Sequence, residues 1–198
     1  MTSTLISLNR GEEKMSKVYI LLANGFEEIE GLMVVDLMRR AGIDIKMVSI
    51  TDSLDITGAR GIGVKADITI KEAGDDADMV VLPGGMPGTT YLKESDEVRA
   101  MVQNYYDSDK FIAAICAAPT VFGSMGLLNG KKATCYPGLE VSLTGAMWPG
   151  EDYPVVQDGK IITSRGLGTA ADFALKLIEN LIDSKKADEI AQSVVYSR

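Results

Sequence analysis

Apolar residues in this chain gather in short, nearly continuous runs, separated by longer stretches in which they recur every three or four positions. Residues 17–23 (KVYILLA) form the first run, and Asn24-Gly25 ends it. A run this short without polar alternation predicts a strand buried on both faces, followed by a turn. From residue 28 to 40, the positions Ile29, Leu32, Met33, Val35, Leu37 and Met38 keep helical spacing, and Ala41-Gly42 supplies a stop. Residues 43–50 and 79–82 predict two more strands, the second closed by Pro83-Gly84-Gly85. A helix is expected over 97–106, a strand over 111–115, and a helix over 119–125, where Pro119 suits a first turn. Shorter strands are expected around 133–135 and 160–163, then helices over 169–182 and 187–195.

Strands alternating with helices predict an α/β fold with an open, mostly parallel sheet covered on both faces. Such sheets place their sites beyond the carboxyl ends of the strands. Three stretches follow predicted strands: 25–30, 83–88 and 116–119. They are expected to converge in space. With 198 residues, 46% of them hydrophobic, the chain suits one domain with a sizeable core. Met15-Ser16-Lys17 reads as a natural start, so residues 15–198 are assigned to that domain and 1–14 to a leader or disordered extension.

Charge and composition narrow the partners. Acidic residues outnumber basic ones 28 to 20, giving a net charge of -8 with no basic patch. Nucleic acid and anionic membranes are repelled on average and are not expected partners. No apolar run approaches the roughly 20 residues that span a bilayer. The two cysteines do not form a secreted disulfide framework, which points to a reducing, cytoplasmic setting. Neither GxGxxG nor GxxxxGK[ST] occurs, so no nucleotide cofactor is indicated.

One candidate for chemistry stands out. Cys116 lies where the apolar run 111–115 ends and a helix begins, a position that favours a reactive thiolate. Inert packing is the competing reading, because cysteine is among the most buried residue types. A nucleophile there needs oxyanion donors, which the Ala117 N–H and the Gly84-Gly85 strand end can supply. An ordinary tight turn also explains those glycines. The chain holds no histidine, so Cys-His and Ser-His-Asp mechanisms are excluded and a carboxylate must carry protons. Among Glu27, Glu28 and Glu30, the last can point inward from the first helical turn while the other two face water. Burial beside a thiolate would raise its pKa and keep it protonated. The alternative is that acidic residues simply favour a helix N-terminus. Residues 164–169 (SRGLGT) can hold an anion or form a capped glycine turn.

Ala114-Ile-Cys116-Ala-Ala-Pro119, Val80-Val-Leu-Pro-Gly-Gly85, Gly25-Phe-Glu-Glu-Ile-Glu30 and Thr163-Ser-Arg-Gly-Leu-Gly-Thr169 together resemble the DJ-1/ThiJ/PfpI family, and its DJ-1 branch most. The likeness runs from residue 17 to about 181, with the motifs in the family's order. It implies a flavodoxin-like three-layer sandwich, usually a homodimer, with a low-pKa cysteine on a nucleophile elbow and no cofactor or metal. Cys116 matches that cysteine, Glu30 the buried glutamate bonded to the sulfur, and Gly85 and Ala117 the oxyanion donors. Gly84 is grouped with them. Arg40 and Arg60 match two arginines that approach the site across the dimer interface. Tyr136 stands where many members have histidine. A phenol can bind substrate but is a poor base near neutral pH, which disfavours the peptidase activity attributed to the PfpI branch.

The implied chemistry is attack of Cys116 on a 2-oxoaldehyde such as methylglyoxal or glyoxal, with Glu30 shuttling protons and a 2-hydroxy acid as product. Reversal of early glycation adducts on protein side chains resembles the same chemistry. A second function, from another class, is an oxidative-stress sensor or redox chaperone that uses Cys116 oxidation, with Cys135 as resolving thiol if it lies close.

Overall fold

In β1 (Lys17–Leu22), Val18, Ile20 and Leu22 enter one apolar cluster while Tyr19 and Leu21 enter another on the opposite face, all five buried. A strand apolar on both faces has to lie between two layers. The structure, a computed structural model, describes residues 15–197. The leader expected at 1–14 lies outside the described residues.

From β1 the chain continues through α1 (Glu28–Arg40), β2 (Asp44–Ser49), a hairpin of β3 (Asp55–Thr57) and β4 (Gly63–Lys65), and β5 (Ile68–Thr69). Then come β6 (Met79–Leu82), α2 (Gly88–Glu94), α3 (Asp96–Asp107), β7 (Phe111–Ile115) and α4 (Pro119–Ser124). β8 (Val155–Asp158), β9 (Ile161–Ser164), α5 (Ala170–Leu181) and α6 (Ser184–Ser193) complete it. Among the described residues the central sheet has seven strands in the order β5-β2-β1-β6-β7-β9-β8, parallel except for β8. α1, α5 and α6 pack on one face through Val34, Leu37, Phe173 and Ile190. α2, α3 and α4 cover the other through Leu92, Val98, Val102 and Phe122. This is a three-layer α/β sandwich of the flavodoxin-like type. No helix among the described residues is long and apolar enough to cross a membrane.

The expected strand at 133–135 is not one. Only an isolated bridge pairs Lys132 with Met147. The Thr134 N–H donates to the Thr163 hydroxyl (2.9 Å) and the Tyr136 N–H to the Cys116 carbonyl (2.8 Å), so backbone donors that a ladder would use are engaged elsewhere. The β3–β4 hairpin, β5, β8 and α2 carried no periodic signal, being two to seven residues long.

Candidate active site

β1 lies between β2, which follows it in the chain, and β6, which begins the other half of the sheet. Sheet order reverses there, and the strand ends diverge into a crevice. The three stretches flagged in the sequence meet at it. The Glu27 N–H donates to the Gly84 carbonyl (2.8 Å) and the Gly88 N–H to the Gly25 carbonyl (3.2 Å), joining the loops after β1 and β6. The Cys116 N–H donates to the Ser164 carbonyl (3.0 Å), tying the loop after β7 to the end of β9.

Cys116 itself is strained. Its φ of 64° lies in the left-handed region, which costs a non-glycine residue about 1–2 kcal/mol. The surrounding bonds hold it there, and the half-buried thiol is turned out of the chain path at a sharp strand-to-helix elbow. Pro119 opens α4 as expected, but α4 has only six residues. Stabilisation of a thiolate therefore falls to the N–H groups of Ala117 and Gly85, both acting on the sulfur in that direction.

Glu30 sits in the first turn of α1 and is 1% exposed. Glu27 positions it, accepting the Glu30 N–H at 2.7 Å as the helix N-cap. The Glu30 side chain is hydrogen-bonded to Cys116, and its Oε2 accepts the Gly84 N–H at 3.0 Å. The Leu167 N–H also serves this carboxylate. The 164–169 segment itself forms the capped glycine turn: the Gly166 N–H donates to the Thr169 hydroxyl (3.1 Å), which donates in turn to the Gly166 carbonyl (2.9 Å). Gly84 spends its N–H on Glu30, so it supports the carboxylate and is no oxyanion donor. Its lack of a side chain matters more: a Cβ there would lie 2.5 Å from the Cys116 Cβ and 2.6 Å from Glu30 Oε2.

Burial pushes Glu30 up to about 7; the Cys116 contact opposes this and the charge of Glu27 adds to it. Burial pushes the Cys116 thiol up to about 12, reinforced by the charge of Glu30 and its hydrogen bond. The low-pKa cysteine implied by the resemblance is not what this site produces while Glu30 is ionised. Protonating Glu30 removes its charge and supplies a donor, so a thiolate here is one proton arrangement of a coupled pair: Glu30 acid beside Cys116 sulfur anion, carrying the same charge as Glu30 anion beside the thiol.

Other candidates fall around this pair. Tyr136 is 53% exposed and holds the elbow through its backbone N–H. Its ring borders the mouth, since a Cβ on Gly166 would lie 3.4 Å from it and 3.9 Å from the Cys116 sulfur. Arg40 lies at the far end of α1, about 15 Å along the axis from Glu30, and its Nε donates to Asp36 (2.6 Å) at the surface. Arg60 is exposed in the hairpin loop. Among the described residues neither guanidinium bonds to Cys116 or Glu30. Cys135 packs in the cluster under α2, α3 and α4, while Cys116 packs against the opposite one.

Glu28 departs from expectation. It is 1% exposed instead of facing water, and Oε1 accepts the backbone N–H groups of Arg60 (2.7 Å) and Ile62 (3.4 Å). Burial opposes its ionisation, but the Arg60, Glu28 and Ile62 N–H groups hold its carboxyl below the ordinary value. Glu28 thereby clamps the β3–β4 hairpin onto the start of α1. Helical position singles out Glu30 as inward but carries no sign that Glu28 is buried as well.

Comparison with known proteins agrees with this geometry. The model of the DJ-1/PfpI family matches residues 16–180. Protein dj-1beta of Drosophila melanogaster is 38% identical over 185 residues, covering 92% of this chain and 99% of the relative. Its crystal structure superposes with a TM-score of 0.88 at 34% identity, covering 93% of this chain and all of that one. A Caenorhabditis elegans relative named glutathione-independent glyoxalase DJR-1.2 is 28% identical over 184 residues, covering 92% of this chain and 97% of its own. The chain spans only 41% of protein DJ-1 homolog B of Arabidopsis thaliana, at 38% identity over 90% of this chain. A buried glutamate beside a strained elbow cysteine, in a flavodoxin-like sheet whose sequence matches the family model over residues 16–180, makes this chain a member of the DJ-1/PfpI family.

Proposed function

We propose that the protein is a cofactor-independent glyoxalase that converts 2-oxoaldehydes, such as methylglyoxal and glyoxal, to 2-hydroxy acids. The observation that carries this reading is the buried Glu30–Cys116 contact, which places a proton carrier with a pKa of about 7 against the nucleophile. Cys116 sulfur, as the thiolate partnered by protonated Glu30, adds to the aldehyde carbon. The oxyanion is met by the Gly85 and Ala117 N–H groups, takes the Glu30 proton, and becomes a hemithioacetal. Glu30 then removes the hydrogen from the former aldehyde carbon and returns a proton to the neighbouring carbon through an enediol. The resulting thioester reacts with water, releasing the 2-hydroxy acid and the thiol. One water is consumed and no external oxidant or reductant is needed. The name of the Caenorhabditis elegans relative supports the assignment.

Early adducts of these aldehydes on protein side chains are included as substrates, as a deglycase-type reaction on the same carbons. Tyr136 would contact substrate at the mouth. Arg40 and Arg60 belong to the proposal only in a homodimer, where a partner subunit could bring such groups near the site. The test is methylglyoxal consumption with lactate as product, without glutathione, in wild type, Cys116→Ser and Glu30→Gln. The expected result is turnover in wild type and its loss in both variants. Wild type without turnover, or Cys116→Ser with full turnover, overturns the reading.

A second reading is a redox sensor, favoured by the half-buried thiol beside a group that can donate a proton to an oxidised sulfur. A Toxoplasma gondii DJ-1 structure described as oxidized, 37% identical with a TM-score of 0.86, covers 92% of this chain and all of that one. Wild type that lacks turnover but forms a stable two-oxygen adduct on Cys116 after mild peroxide would favour the sensor.

A further inference from the structure

A cleft of about 600 Å³ opens between α2, α3 and α4, on the side of the elbow away from Glu30's helix. Met86 and Ala117 are among its lining residues. Met86 follows Gly85, and Ala117 follows Cys116, so the cleft abuts both proposed oxyanion donors. It holds far more room than a three-carbon aldehyde fills, and its size is within the range of small-molecule sites.

The lining is chemically biased. Lys93 from α2 and Arg99 from α3 both face this cleft, and neither has a carboxylate partner among the described residues. Arg99 Nη1 donates only to the Ser124 hydroxyl (3.3 Å), itself part of the lining. Thr89 is 4% exposed, lines the cleft, and its hydroxyl has no hydrogen-bond partner within the protein. A buried hydroxyl left unmatched is unfavourable unless a ligand or water meets it. Two cations from separate helices suit a dianionic oxygen cluster, and the Thr89 hydroxyl, sealed just beneath the surface, would join them only if a ligand shifts the wall over it. Glu94 also lines the cleft and opposes an anion, so the ligand must sit toward Lys93 and Arg99.

We propose that this cleft is a phosphate subsite, which holds the phosphate monoester end of a phosphorylated aldehyde while its carbonyl carbon reaches Cys116. The inference rests on the proposed aldehyde chemistry for the identity of the reacting end. The cleft's charge and hydroxyls alone carry the anionic end.

The test uses glycerol 3-phosphate, which has the phosphate but no carbonyl, and measures two things in the full chain. Calorimetric titration gives its affinity for wild type, Lys93→Gln, Arg99→Gln, the double variant and Glu94→Gln. Iodoacetamide alkylation gives the accessibility of Cys116 with and without the ligand. The expected result is saturable binding, weakened at least tenfold in the double variant, tightened in Glu94→Gln, and slowed alkylation of wild-type Cys116. Glycerol at the same concentration should do neither. Inorganic phosphate should bind but protect Cys116 less, because it does not extend to the thiol.

Absence of saturable binding, or equal affinity in wild type and the double variant, overturns the subsite. Equal protection by inorganic phosphate and glycerol 3-phosphate, or binding with no protection, overturns its connection to substrate. Because these measurements need no turnover, a protein that binds as expected yet fails to consume methylglyoxal would count against the glyoxalase reading alone.

Discussion

Glu30 and Cys116 are brought into contact by a residue that has no side chain: Gly84 donates its N–H to Glu30 Oε2 at 3.0 Å, and a methyl group in its place would lie 2.6 Å from that oxygen and 2.5 Å from the Cys116 Cβ. Both neighbours are fixed, one by the helix cap at Glu27 and the other by its strained elbow. Neither can retreat cheaply.

Gly84→Ala is therefore expected to separate the pair while leaving the fold intact. Overpacking of this kind costs about 1–3 kcal/mol, measurable by urea denaturation. Alkylation of Cys116 should lose its pH inflection near 7 in this variant. A Gly84→Ala protein with wild-type stability and an unchanged alkylation profile would show that the site is looser than these distances require.

Glu30 links this site to global stability. Its pKa is about 7 in the folded protein against the ordinary value of 4.5, so between those pH values the folded state holds a proton that the unfolded state has released. Stability is fully present below 4.5 and is lost as pH rises to 7, by about 3 kcal/mol at 1.4 kcal/mol per pH unit. Denaturation at pH 5 and pH 8 should show wild type weaker at pH 8, with much of that difference removed in Glu30→Gln. Equal pH dependence in the two proteins would mean that Glu30 ionises in the fold as freely as in water. Asp76, which the Lys17 and Tyr19 hydrogen bonds hold down to about 2, titrates below this window and does not interfere.

The same pair sets the reactivity of the thiol. With one proton shared between Glu30 and Cys116, a fixed fraction carries it on the carboxyl and leaves sulfur as the anion, independent of pH over the range where the pair holds one proton. Alkylation of wild-type Cys116 should rise to pH 7 and then level off. In Glu30→Gln the thiol titrates alone, and the rate should keep rising into alkaline solution without a plateau. Superimposable profiles would separate the carboxylate from the thiol's chemistry.

Cys135 gives a simpler expectation. It lies in the apolar cluster on the opposite side of the sheet from the one Cys116 packs against, and burial, first, and then the charge of Glu140 push its thiol up to about 12. Mild peroxide should oxidise Cys116 to sulfenate and sulfinate without forming a Cys116–Cys135 disulfide, as read by mass spectrometry of non-reduced peptides. A disulfide in the folded protein would give Cys135 the resolving role.

What could be read from the sequence followed the length of each signal. The strand that ends before Cys116 and the helix from Glu28 to Arg40 were delimited by apolar runs and stop residues, and the structure places them at those bounds. Convergence of the loops after β1, β6 and β7 followed from the rule for parallel sheets, without any knowledge of side-chain contacts. The partition among Glu27, Glu28 and Glu30 was only half legible. Helical position indicated that Glu30 turns inward, but burial of Glu28 depends on the β3–β4 hairpin, whose three-residue strands leave no periodic trace. The cleft beside Met86 was invisible for a similar reason: α2 begins at Gly88 after a Pro-Gly turn and carries two threonines, a composition that reads as loop.

Strain at Cys116 offers a last check that needs no substrate. At most positions replacing alanine by glycine costs about 0.5–1 kcal/mol, because glycine loses more backbone freedom on folding. At φ 64° the order should reverse, since alanine pays the left-handed penalty of about 1–2 kcal/mol and glycine does not. Both variants remove the thiol, so the comparison isolates the backbone. Cys116→Gly is expected to unfold at a higher urea concentration than Cys116→Ala, by an amount corresponding to roughly 1 kcal/mol. The reverse order would mean that the elbow relaxes once the sulfur is gone. In that case the side chain's contacts with Glu30 and the Ala117 and Gly85 N–H groups, and not the tie from the Tyr136 N–H to the Cys116 carbonyl, hold the nucleophile in its turned-out position.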